Sequence, residues 1–138
     1  MRIAGAQIPV TLDIEENVKT IKASISWAVA NKCHFLVTPE CSLSGYDATY
    51  DEKVLARALS NIEEYAKSWN IGLCLGTLWK EDEEAGQIRR NQIRFYDNFG
   101  QLIGVTNKTY LVNQDIGCLA HELDEKGITV HNIRCQDI

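Results

Sequence analysis

The chain has 138 residues, 45% of them hydrophobic and 24% charged, which suits one compact domain over residues 1–138 and argues against disorder. Net charge is −5 and no stretch concentrates Lys or Arg beyond Arg89-Arg90, so the basic footprint that a nucleic-acid partner requires is missing. No apolar run reaches the ~20 residues of a membrane span, and five cysteines without a repeated spacing fit a reducing cytoplasm better than a disulfide framework.

Residues 2–8 read as an apolar strand bounded by Pro9, too short for a signal-peptide core. Asp13 is placed to cap a helix, with Glu16 as its capping-box partner. Ile14, Val18, Ile21, Ile25 and Val29 then recur on one helical face. Residues 34–38 form a short buried-type strand running into Pro39-Glu40, and residues 41–50, with Ser, Gly and Asp, read as a loop. A second helix is expected over 51–68, with Val54, Leu55, Leu59, Ile62, Tyr65 and Ala66 on one side. Residues 71–78 read as a third strand, 80–86 as a charged turn that includes the solvated run Glu81-Asp82-Glu83-Glu84, and 91–96 with 102–106 as a hairpin around Asp97-Asn98-Phe99-Gly100. Residues 108–125 show the least regularity, and 128–133 are the last strand candidate. This order predicts an α/β fold, a mixed sheet with helices on one face.

Strand ends are where α/β folds place reactive groups, and three strand ends here carry them. Glu40 follows the second strand, Lys108 follows the hairpin, and Cys135 ends the last candidate strand. A thiolate is a strong nucleophile, a carboxylate can move its proton, and an ammonium can stabilise an oxyanion. Other constellations are weaker. Cys33-His34 with Cys41 lacks the second pair that a tetrahedral zinc site needs. Gly72, Gly76 and Gly86 make no phosphate-binding fingerprint, and Ser44 lacks the flanking glycines of a nucleophile elbow. Cys33, Cys41, Cys74 and Cys118 read as packing residues, and Trp27, Trp69 and Trp79, one per element, as core or interface.

The motifs at these strand ends resemble the nitrilase superfamily of carbon–nitrogen hydrolases. They are Pro39-Glu40 followed by Gly45-Tyr46, then Asn91, Tyr96 and Gly100 leading to Lys108, then Cys135-Gln136-Asp137. Ala6-Gln7 and Asn17 in the first helix add to the likeness. Departures gather near the cysteine, where His131, Arg134 and Gln136 replace the family's usual glycine, apolar and aromatic or Asn residues, and Tyr110 replaces the histidine after the lysine. The resemblance implies an α-β-β-α sandwich truncated to about half, since the family fold is about twice this length. It implies a hydrolase of a non-peptide C–N bond, acting through a cysteine thioester on a small-molecule amide, carbamoyl or nitrile substrate, with no cofactor or metal. Glu40 would be the base, Lys108 the oxyanion stabiliser and Cys135 the nucleophile, with Asp115 or Glu122 as a second acid. A homo-oligomer or partner-dependent subunit is expected. Two rival readings stand beside it: a catalytically silent subunit that associates with itself or a partner, and a flavodoxin-like binding module.

Overall fold

The elements run β1 (Ile3–Gly5), α1 (Ile14–Ala30), β2 (Phe35–Val37), α2 (Glu52–Ser68), β3 (Gly72–Glu83), β4 (Gly86–Tyr96) and β5 (Leu102–Asn107) in the computed structural model, which describes residues 1–84 and 86–109. They build one five-stranded sheet whose spatial order equals the chain order. β1, β2 and β3 pair in parallel, while β3–β4 and β4–β5 are antiparallel. The expected mixed α/β sheet with helices on one face is therefore what forms. The candidate strand at 128–133 lies outside the described residues.

Local chemistry accounts for the elements. Asp13 caps α1 by accepting from the backbone N–H groups of Glu15 and Glu16 at 2.9 and 3.1 Å, and Asp51 caps α2 in the same way through Lys53 and Val54. The reciprocal half of the capping box does not form at α1. The Asp13 N–H donates to the Thr11 hydroxyl instead, and Glu16 turns to Lys19. Ile14, Ile21, Ile25 and Ala28 of α1 and Leu55, Ala58, Leu59, Ile62 and Ala66 of α2 are buried. They pack on Ala4, Leu36, Leu73, Leu75 and Tyr96 of the sheet, which alternate with residues on its other face.

Two expectations need correction. β1 is shorter than residues 2–8, because its partner β2 supplies only Phe35, Leu36 and Val37 for pairing. The charged turn at 80–86 is in large part strand: β3 continues to Glu83 and pairs with β4 as far as Gly86. The charges that suggested solvated turn residues are used in pairing. Lys80 Nζ donates to Glu52 at 2.8 Å, Arg90 Nε to Glu81 at 3.1 Å and Gln87 to Asp82 at 2.9 Å. Of the tryptophans expected in core or interface, Trp79 packs against the core, and Trp27 and Trp69 lie at the surface, 62% and 47% exposed.

Candidate active site

The loop after β2 is tied to β3 by small hydroxyl groups. The Thr38 N–H donates to Cys74 O at 2.9 Å, the Ser42 hydroxyl to Gly76 O at 3.1 Å, and the Leu43 N–H to the same carbonyl at 3.1 Å. The Gly76 N–H donates to the Thr38 hydroxyl, which lies 2.7 Å from that of Ser42, and the Leu78 N–H donates to the Ser44 hydroxyl at 2.8 Å. All four of Thr38, Ser42, Ser44 and Gly76 are buried, so these bonds answer polar groups that water cannot reach. Gly76 is required by space: a Cβ there would stand 2.1 Å from the Pro39 carbonyl oxygen and 2.9 Å from Glu40 Cα. β3 and the Pro39-Glu40 turn thus touch backbone to backbone.

The far side of the loop is held by Asn17. Its amide donates to Thr11 O at 2.8 Å and to Leu43 O at 3.1 Å, and its oxygen accepts from the Thr11 N–H at 3.0 Å. Gly45, at φ +75°, packs against the Thr11 carbonyl, where a Cβ would come within 2.4 Å. Cys41, fully buried beside Glu40, also takes a left-handed backbone at φ 53°. A non-glycine residue held there is a mark of a loop whose shape is over-determined by its surroundings.

This scaffold presents Glu40 to the hairpin. Its Oε1 accepts from the Asn91 side-chain amide at 2.5 Å and from Lys108 Nζ at 2.8 Å. Lys108 sits just past β5, and its backbone N–H donates to the Asn91 carbonyl at 2.8 Å. Asn91 is buried, whereas the Glu40 and Lys108 side chains keep 41% and 25% of their surface open. The structure therefore brings together Glu40 and Lys108, which lie 68 positions apart in the chain. Cys135, Asp115, Glu122 and Cys118 lie outside the described residues.

Cys33, Cys41 and Cys74 form no disulfide, and burial pushes the Cys74 thiol up to about 11. Among the described residues no group of three or more His, Cys, Asp or Glu side chains could hold a metal ion, and no helix is long and apolar enough to cross a membrane. The sequence gives Asn91 a place in a motif but no task, and it offers Gly76 and Ser44 only as members of phosphate-loop and nucleophile motifs that they do not complete. A glycine inside the apolar run 71–78 was the available signal, since such a glycine often marks close backbone approach.

Comparison with known proteins adds to this geometry. A family model described as carbon-nitrogen hydrolase matches residues 2–128. No curated protein matches the chain. Among solved structures, it is similar to a cysteine-to-alanine mutant of the Nesterenkonia AN1 amidase from the nitrilase superfamily, with TM-score 0.77 and 20% identity over 90% of this chain and 49% of that one. A second structure of the Nesterenkonia sp. AN1 amidase, showing Michael addition of acrylamide at the active site cysteine, superposes with TM-score 0.73 and 19% identity over 90% and 50% of the two chains. The glutamine-dependent NAD+ synthetase from Acinetobacter baumannii matches at TM-score 0.69 and 21% identity, over 84% of this chain and 23% of that one. The chain spans about half the length of the amidases it resembles.

Proposed function

Since this chain belongs to the carbon–nitrogen hydrolase family, we propose that it carries the acid–base and oxyanion part of a site that hydrolyses a non-peptide C–N bond in a small amide. The observation that carries the reading is the convergence of Glu40 and Lys108 at 2.8 Å across two separate elements. Carbamoyl and nitrile groups, which present the same kind of electrophilic carbon, belong to the same substrate class. Neither metal nor organic cofactor enters the scheme.

In this scheme Glu40 removes the proton from the Cys135 thiol, and the sulfur adds to the amide carbon. Lys108 holds the oxyanion that forms, an interaction that typically supplies ~2.7–4 kcal/mol of transition-state stabilisation. The C–N bond then breaks and Glu40 passes its proton to the departing nitrogen. A water attacks the thioester, giving its proton to Glu40, and the acid leaves as the C–S bond breaks and the thiol is restored. Asp115 or Glu122 would act as a second acid beside this set. An ammonium has three protons to donate, so Lys108 can keep its bond to Glu40 and still face a substrate oxygen.

The reading is tested by brief treatment of the full chain with limiting iodoacetamide at neutral pH, followed by mapping of the labelled cysteine. Selective labelling at Cys135, slowed in Glu40→Gln and in Lys108→Met, is the expected result, because a catalytic thiol reacts as its thiolate ahead of buried ones. Even labelling of all five cysteines would overturn it. Short aliphatic amides are the first substrates to screen, given the acrylamide adduct of the amidase neighbour.

A second reading has one observation in its favour. Ile3, Val37 and Ile93, on the sheet face away from the helices, are 58%, 38% and 37% exposed. Such apolar residues favour a subunit that associates with itself or a partner. Sedimentation showing a monomer at micromolar concentration would count against it.

A further inference from the structure

The two donors that reach Glu40 meet at a single oxygen. Asn91 Nδ2 and Lys108 Nζ both bond to Oε1, at 2.5 and 2.8 Å. Among the described residues no donor meets Oε2, and the side chain is 41% exposed. The two oxygen positions of a carboxylate held in this way are inequivalent, and turning about its last bond breaks both contacts at once before they can re-form. We propose that Asn91 is a positioning residue that divides the labour of Glu40: Oε1 is pinned between Asn91 and Lys108, and Oε2 is the oxygen that carries protons.

This inference rests on the catalytic reading above and assigns the steps within it. The thiol S–H bond breaks as an O–H bond forms at Oε2. That proton leaves Oε2 for the departing nitrogen, and the hydrolytic water refills it. Asn91 suits the task because it is anchored twice. It is buried in β4 at 4% exposure, and its carbonyl accepts the Lys108 backbone N–H at 2.8 Å. One residue therefore sets the position of both the carboxylate and the start of the segment that carries the ammonium. The backbone contact survives any side-chain replacement, so substitution isolates the amide.

The experiment uses the full chain with Asn91→Leu, which is close in size but has no donor. Two readouts are needed. The first is the rate of iodoacetamide labelling at Cys135, with the thermal melt followed by circular dichroism as a check of folding. The second is the side-chain amide resonance of Asn91, assigned by through-bond correlation to its own Cβ in the ¹³C,¹⁵N-labelled wild-type chain and followed in Glu40→Ala. The expected result is labelling slowed roughly tenfold or more in a folded Asn91→Leu protein, and a clear displacement of the Asn91 amide resonance in Glu40→Ala. Selective wild-type labelling with an unchanged rate in Asn91→Leu would overturn the positioning role and leave the catalytic reading standing. Unselective wild-type labelling would overturn both. Should Asn91→Leu unfold, the resonance decides, because an Asn91 amide that ignores Glu40→Ala is not bonded to it.

Discussion

At the level of single residues, the site depends on what is absent from Gly76 as much as on what Glu40 carries. The strand backbone and the Pro39-Glu40 turn approach too closely for any side chain, with Pro39 O only 2.1 Å from a would-be Cβ. Neither neighbour is a flexible side-chain end that can step aside. Gly76→Ala should therefore destabilise the fold by about 1–3 kcal/mol, the usual cost of overpacking, and should displace Glu40 from Asn91 and Lys108. Urea unfolding checks the first effect. Loss of selective Cys135 labelling in protein that remains folded checks the second. A Gly76→Ala chain that matched wild type on both counts would show that the turn has slack the geometry denies.

At the level of elements, Asn17 is the fastener between α1 and the loop that bears Glu40. It is 1% exposed and bonds the Thr11 backbone through both ends of its amide, with Leu43 O as a further acceptor. Asn17→Ala leaves those buried groups unanswered, which costs on the order of 1–3 kcal/mol, and a lowered urea midpoint is the expected outcome. Asn17→Ser should recover little, because a hydroxyl has one proton and a shorter reach. Much of this layer was legible in the sequence. Asp13 announced the start of the first helix, and the apolar spacing in 14–29 and 54–66 marked the faces that are buried. The turn at 97–100 followed from its Asp, Asn and Gly, and it forms with Gly100 at φ +75°. The extension of β3 through Glu83 was not legible, because local charge looks like solvation until the partner strand is known. Glu52, Arg90 and Gln87, which answer those charges, lie on other stretches of the chain. At the site, the motif order picked out Glu40 and Lys108 as candidates, but their meeting at Asn91 is a product of β4–β5 register that no local pattern encodes.

At the level of the whole molecule, alkaline stability follows from two buried groups on the sheet. Burial pushes the Cys74 thiol up to about 11, and burial, with Glu63 beside it, raises the Tyr96 hydroxyl above its ordinary range. Each group is held neutral in the folded chain and ionises more readily when unfolded. Their contribution is complete below the unfolded values, near 8.5 for a thiol and 10 for a phenol, and it fades as pH rises through the folded ones. The melting temperature should thus begin to fall above about pH 9, and Cys74→Ala should flatten the first part of that decline. Melts followed by circular dichroism between pH 7 and 11 check this. A decline unchanged by Cys74→Ala would place the alkaline sensitivity elsewhere.

The sheet order β1-β2-β3-β4-β5 also bears on how the chain comes to be folded. Every strand lies beside the strand made just before it, so none has to wait for a distant segment before it can pair. The longest separations are the two helical crossovers, and the three later strands meet through short turns. Loop closure costs least for the β3–β4–β5 hairpins and more for the two parallel crossovers, since folding rates rise as contacting segments lie closer in sequence. On a ribosome this arrangement permits growth from the N-terminus outward, each helix standing between the two parallel strands that it connects. Glu40 can be seated on β3 before Lys108 pairs beside it, with Asn91 standing at the place where Lys108 arrives.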